Sequence, residues 1–246
     1  MSQQLKKVAI VTGASRGIGA AVARRLAEDG FAVVINYASS SREADALVAE
    51  MCGSHREAVA VKADVSIPDD VRRLFETAEQ TLGKVDVVVN NAGIMKPAVL
   101  AETSDEMFER HFAINVRGTF NTLREAAKRL NNGGRIVNFS STALALNLPG
   151  YAVYNGTKAA VEAFTRVFAG ELRGRNITVN CVAPGPVATE LFLNGKSEEQ
   201  IQRFARMPPL ERLGRPDDIA GVVSFLVGPD AGWVNGQVLR ANGGLA

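Results

Sequence analysis

Cysteine is scarce in this sequence: Cys52 and Cys181 are the only two in 246 residues, and they lie far apart. A disulfide framework is excluded as the source of stability, and reduced thiols in a reducing compartment are expected, hence a cytoplasmic protein. Histidine is equally rare. His55 and His111 stand alone with no HxxxH or Cys/His cluster, so no metal site is expected. No apolar run approaches the roughly 18 residues of a membrane span, and Met1 to Lys7 is polar, with neither an apolar signal core nor an Arg/Ser-rich leader. Charge of one sign is also lacking, since 28 Lys and Arg face 26 Asp and Glu for a net +2. So small an excess gives no electrostatic case for a nucleic-acid or membrane partner.

What is present is an apolar fraction of 46%, with only 6% aromatics. A chain of this length buries roughly 70 to 75% of its extended surface without any staple, which excludes disordered and collagen-like classes. Short β-branched runs recur at Lys7 to Thr12, Phe31 to Asn36, Ala58 to Ala63, Val85 to Asn90, Gly134 to Ser140, Ile177 to Ala183 and Gln237 to Ala241. Their near-continuous apolar character predicts burial on both faces, as in a parallel sheet. Helical periodicity fills the intervals: 17–29, 42–51, 69–82, a long helix within 105–130, 155–173 and 217–227. This alternation predicts a single α/β domain over 1–246, a doubly wound Rossmann fold with a seven-stranded, mostly parallel sheet and helices on both faces. Only 187–214 escapes the alternation. It reads as a loop with one short amphipathic helix and several apolar residues, the pattern of a lid over a substrate.

The 23 glycines are slightly more than average composition supplies, and their placement is informative. Directly after the first strand stands Thr12-Gly13-Ala14-Ser15-Arg16-Gly17-Ile18-Gly19, opening onto a helix. Gly13 permits a tight turn, Gly17 lets backbone N–H groups approach a pyrophosphate, and Gly19 lets the helix pack on the strand. The end of the second strand selects the dinucleotide. NAD sites place a carboxylate about 20 residues past the glycines to bind the ribose 2′-hydroxyl. Here the segment reads Ile35-Asn36-Tyr37-Ala38-Ser39-Ser40-Ser41, with no carboxylate between Phe31 and Arg42. A 2′-phosphate would meet no repelling charge and would find the donors of Asn36, Tyr37 and Ser39 with the guanidinium of Arg16, which predicts NADP(H).

Tyr154-Asn155-Gly156-Thr157-Lys158 places a phenol and an amine four residues apart at the start of a helix, on one face. A free phenol, with a pKa of about 10, is poorly matched to proton transfer near neutrality. A nearby ammonium is expected to lower that value, making Tyr154 a general acid for carbonyl reduction or a base for alcohol oxidation. With the ordered set Thr12 to Gly19, Asp64-Val65, Asn90 to Gly93, Asn115, Ser141, Tyr154 with Lys158, and Pro184-Gly185, the whole chain resembles the short-chain dehydrogenases/reductases. The resemblance implies that Ser141 hydrogen-bonds the substrate oxygen. Strand alternation lets only one of Ser140 and Ser141 face the crevice, and the family spacing selects Ser141. It implies that Asn115 orients Lys158 through water, and that Asp64 and Val65 contact adenine. It further implies that Asn91, Ala92 and Gly93 lie along the cofactor, and that Ile18, Pro184, Gly185, Val187 and Thr189 line its nicotinamide end.

The expected substrate pocket comprises Ser141, Leu144, Tyr154, Pro186 and Phe192, with Met95, Lys96, Tyr151 and the segment 142–148 around them. Its apolar character points to a moderately sized ketone, aldehyde or alcohol. Reduction of 3-oxoacyl groups on an acyl carrier protein is the alternative, and Lys128, Arg129 and Arg175 are the candidate docking cations for it. A redox-inactive dinucleotide-binding regulator is the alternative of another class, though such regulators lose Tyr154 or Lys158 and this chain keeps both. Relatives commonly pair the helix after Tyr154 and the long one before it across one two-fold axis and pack their C-terminal segments across another, which implies a D2 homotetramer.

Overall fold

The computed structural model describes residues 6–246, so the polar segment Met1 to Lys7 lies outside the described residues except for its last two. Seven strands form one sheet: β1 (Val8–Val11), β2 (Ala32–Tyr37), β3 (Ala58–Lys62), β4 (Val85–Asn90), β5 (Arg135–Phe139), β6 (Thr178–Pro184) and β7 (Val238–Ala241). Their spatial order is β3-β2-β1-β4-β5-β6-β7. Every pairing is parallel, so the expected mostly parallel sheet is wholly so. The chain runs outward from β1 to β3 and then restarts beside β1 at β4, which opens a crevice at the C-terminal ends of those two strands.

The period-2 geometry of a strand sorts alternate residues onto opposite faces. Ala9, Val11, Val33 and Ile35 pack with Val22, Leu26, Ile219 and Val223 of α1 (Gly17–Glu28) and α10 (Pro216–Val227). Val8, Ile10 and Val34 face the other way, onto Leu74, Phe75, Leu123 and Ala126 of α3 (Pro68–Thr81) and α5 (Gly118–Arg129). Both layers are buried and apolar, which is why the strands read as apolar runs rather than alternating ones. The remaining long elements are α2 (Ser41–Gly53) and α7 (Ala152–Glu171).

Two regions differ from the sequence reading. The expected long helix within 105–130 is α4 (Asp105–His111), a π-helical turn over Phe112–Arg117, and then α5. The wide turn carries Asn115, and such turns recur at functional sites because they redirect side chains. The segment 187–214 holds two helices rather than one, α8 (Glu190–Leu193) and α9 (Glu198–Arg206). Its base is closed by a parallel bridge between Val187 and Gly214. The one-turn helix α6 (Ala143–Leu146), just after β5, is also absent from the sequence reading.

Gly118 opens α5 against the loop after β3, and a Cβ there would sit 2.6 Å from Cγ2 of Val65. Alanine is ordinarily better than glycine within a helix by about 1 kcal/mol. Here overpacking against a stiff, buried side chain should outweigh that gain, so Gly118→Ala is expected to lose about 1–2 kcal/mol of unfolding free energy in urea titrations.

Candidate active site

The glycine turn is fixed from below by two asparagines. Asn36, at 1% exposure, accepts a hydrogen bond from the Gly13 N–H through Oδ1 at 3.3 Å and donates through Nδ2 to the Ala63 carbonyl at 3.0 Å. Its side chain is therefore spent inside the protein. Asn36 shapes the dinucleotide cleft without offering its amide to a phosphate, contrary to the sequence expectation. Asn91 donates through Nδ2 to the carbonyls of Thr12 at 2.9 Å and Gly13 at 3.0 Å, locking the turn to the end of β4.

The turn has the shape a pyrophosphate requires. A Cβ on Gly19 would lie 2.4 Å from the Gly13 carbonyl oxygen, so no larger residue lets α1 start this close to β1. Gly17 has φ +58°, and the nearest atom to a Cβ there would be Thr189 Cγ2 at 3.5 Å, across the cleft. The cleft over this turn is lined by Gly13, Ser15, Arg16, Gly17, Ile18, Gly19, Asn36, Tyr37, Ser39, Asp64, Val65, Asn91, Ala92, Gly93 and Thr189. All are expected along the dinucleotide, Ile18 and Thr189 at its nicotinamide end and the others toward the adenosine and pyrophosphate or along the cofactor. Arg110, Ile114 and Glu190 also line it and were missed, because the first two depend on how the π turn rotates α4 and the third on where α8 folds. The residues present thus fit a dinucleotide, with a helix N-terminus at the turn and no carboxylate at the end of β2.

A second hollow continues from the first, sharing Ile18, Asn91, Gly93 and Thr189 with it. Ser141, Tyr154, Lys158, Pro184, Gly185, Pro186, Val187 and Phe192 line it as expected. Leu144 does not. In α6 the residues facing the hollow are Ala143 and Leu146, three apart on one helical face, and Leu144 projects elsewhere. Met95, Leu148, Tyr151, Leu191 and Phe204 complete a largely apolar wall. Lys96 is not part of it, and its backbone N–H donates to Nε2 of the buried His111 at 3.2 Å.

Both serines line the hollow, although strand alternation predicts that only one turns toward it. They differ in their partners: Ser140 is buried and donates to Oε1 of Glu162 at 2.7 Å. Ser141 Oγ accepts a hydrogen bond from the Ala143 N–H at 3.2 Å, and the residue lines the same hollow as Tyr154. Burial pushes the half-buried Tyr154 phenol up to about 12, the Ser141 hydroxyl pulling the other way and Tyr151 adding to the rise. Lys158 is buried, and desolvation holds its amine down at about 8, with Cys181 acting in the opposite sense. Its Nζ donates to the Phe139 carbonyl at 2.8 Å and stands 5.7 Å from the centre of the Tyr154 ring. The expected lowering of the phenol by the ammonium is therefore not what this site displays. Removal from water dominates both groups, so at neutral pH the pair is a neutral phenol beside a charged amine.

Asn115 is held at the end of β4 by three hydrogen bonds. Its Oδ1 accepts from the Ile94 N–H at 2.8 Å, and its Nδ2 donates to the Ile94 carbonyl at 3.0 Å and to Thr157 Oγ1 at 3.1 Å. The side chain thus clamps the strand-end loop carrying Gly93. A Cβ on Gly93 would be 3.2 Å from Asn115 Oδ1 and 3.6 Å from Lys158 Nζ, so the absence of a side chain there leaves the amine its space.

The supposed carrier-docking cations are already engaged at the other end of the sheet. Arg129 pairs with Glu76, Glu79 and Glu125, and Lys128 also meets Glu125. Arg175 donates to the carbonyls of Ala127 and Leu130, closing the C-terminus of α5. Asn131, in the same corner, bonds the Val85 carbonyl at the start of β4, opposite the crevice.

Among the described residues, no group of His, Cys, Asp and Glu is arranged to hold a metal ion, and no helix is long and apolar enough to cross a membrane.

Residues 13–246 match the family model described as Enoyl-(Acyl carrier protein) reductase. A short-chain type dehydrogenase/reductase of Picea abies is 48% identical, covering 97% of this chain and 92% of its own. NADPH-dependent aldehyde reductase 2, chloroplastic, of Arabidopsis thaliana is 44% identical over 97% of this chain and 93% of its own. Among solved structures, a blue fluorescent protein from a metagenomic library, in complex with NADPH, superposes with a TM-score of 0.93 at 41% identity, covering 99% of this chain and 100% of that one. Sequence, sheet order and site converge on one assignment: the chain belongs to the short-chain dehydrogenase/reductase family.

Proposed function

We propose that the protein is an NADP(H)-dependent oxidoreductase that interconverts a carbonyl compound and its alcohol. The observation that carries the reading is the hollow in which Ser141, Tyr154 and Lys158 meet at the end of a dinucleotide-shaped cleft. The bound dinucleotide supplies or accepts the hydride. The turn Gly13 to Gly19 would hold its phosphates, and Arg16, Tyr37 and Ser39, which line the cleft where β2 bears no carboxylate, would hold a 2′-phosphate. The similarity to NADPH-dependent aldehyde reductase 2 and to an NADPH complex supports this choice of cofactor.

The protein's own residues handle the proton. A carbonyl oxygen at the floor of the hollow accepts hydrogen bonds from the hydroxyls of Ser141 and Tyr154. As negative charge grows on that oxygen, Tyr154 releases its proton to it, and Ser141 holds the oxygen in place. Lys158, charged below its depressed pKa of about 8, offsets the phenolate left behind. The apolar wall from Met95, Leu146, Tyr151, Phe192 and Phe204 excludes water and admits a moderately sized ketone or aldehyde. The segment 187–214 acts as the lid that carries part of this wall. Because Arg129 and Arg175 are engaged in a corner opposite the crevice, that corner does not favour an acyl carrier protein over a small carbonyl compound.

Oxidation of NADPH by a panel of aldehydes and ketones tests the assignment. Tyr154→Phe is expected to lower kcat/KM by about 10²–10⁴ and Ser141→Ala by about 10²–10³. Ser140→Ala should stay within a few-fold of wild type, because its hydroxyl is engaged with Glu162. Equal rates in wild type and Tyr154→Phe overturn the mechanism.

Assembly as a D2 homotetramer is the further part of the reading. Val167 of α7 and Phe120 of α5 remain 62% and 46% exposed, and Trp233 is 99% exposed, which leaves apolar surface for partner subunits. Sedimentation at micromolar concentration should give a tetramer, and a monomer refutes it.

A further inference from the structure

We propose that Glu190 tempers the affinity for the 2′-phosphorylated cofactor by sharing Arg16 with the phosphate. The inference rests on the NADP(H) reading above. Arg16 belongs to the glycine turn and Glu190 is the first residue of α8, 174 residues later, yet Nη1 of Arg16 stands 2.9 Å from Oε2 of Glu190. Both line the dinucleotide cleft, so the ion pair spans its mouth. The two segments also approach each other at Gly17 and Thr189, immediately beside the pair.

A phosphate monoester carries nearly two negative charges near neutrality, and the carboxylate carries one. With Asn36 spent inside the protein and no carboxylate at the end of β2, Arg16 is the main charged attraction for that phosphate among the residues expected at that end. A guanidinium offers several donors in a fixed fork, and among the described residues only Nη1 of Arg16 is engaged. The phosphate therefore meets Arg16 with Glu190 either displaced or alongside, and in both cases the carboxylate repels it. NADH carries no 2′-phosphate and is indifferent to the pair.

Side chains this open, 62% and 66% exposed, form weak pairs. The expected effect is correspondingly modest and specific to the phosphate. Calorimetric titration of NADPH and NADH against the full-length protein tests it. Glu190→Gln should tighten NADPH by roughly two- to fivefold and leave NADH within error. Glu190→Lys should tighten NADPH further, and raising the salt concentration should shrink both gains. In an Arg16→Ala background, Glu190→Gln should change NADPH binding less than in wild type. NADPH binding that is unchanged or weaker in Glu190→Gln overturns the role of Glu190, as does an equal shift for NADH, which would report a structural disturbance of α8. A wild-type protein that binds NADH as tightly as NADPH overturns the NADP(H) reading itself, a result distinct from the others.

Discussion

The ammonium of Lys158 is a charge buried at the junction of β5, β6 and α7, and the direct hydrogen-bond partner the fold gives it is the Phe139 carbonyl. Removing such a group from water is costly unless the surroundings are fixed around it. The thiol of Cys181 nearby is itself pushed up to about 12 by burial, so at neutral pH it supplies no counter-charge. The Lys158 Nζ stands 5.7 Å from the centre of the Tyr154 ring, and Ser141 lines the same hollow.

Everything else positions groups around that amine. The parallel sheet brings the C-terminal ends of β1, β4, β5 and β6 to one edge, and the loops after them hold the glycine turn, Gly93, Ser141 and Gly185. The asparagines are the means of attachment. Asn36 and Asn91 bind the glycine turn to β3 and β4, and Asn115 binds the Gly93 loop to the π turn. Each replaces backbone partners that loops cannot provide for themselves, since a buried carbonyl or N–H left unpaired costs about 1–3 kcal/mol.

The strands were legible because each is buried on both faces and so appears as an unbroken apolar run. Tyr154 and Lys158 were legible because helix geometry alone places residues four apart together. Other features depend on partners remote in sequence, to which local periodicity is blind. The π turn is held by Asn115 bonding to Ile94, 21 residues away, and a helical pattern over 105–130 reads the same with or without it. Asn36 offers the same amide whether it faces solvent or Ala63, and only the packed structure shows which. Leu144 and Leu146 are equally apolar, and the rotation of a four-residue helix decides between them. The direction of the Tyr154 shift was misread for a related reason: sequence identifies the neighbouring charge but not the desolvation that outweighs it.

Because the site stores a neutral phenol beside an amine poised at about 8, the pH dependence of kcat/KM for carbonyl reduction by NADPH is its most direct measurement. Below that value Lys158 is an ammonium and Tyr154 carries its proton, the forms that reduction needs. Above it the amine is neutral and no longer offsets the phenolate. The account predicts a plateau through neutrality and a fall as pH rises through about 8, with Tyr154→Phe inactive throughout. Reduction that instead accelerates as pH rises through this range would contradict it, since the active form would then require the deprotonated pair.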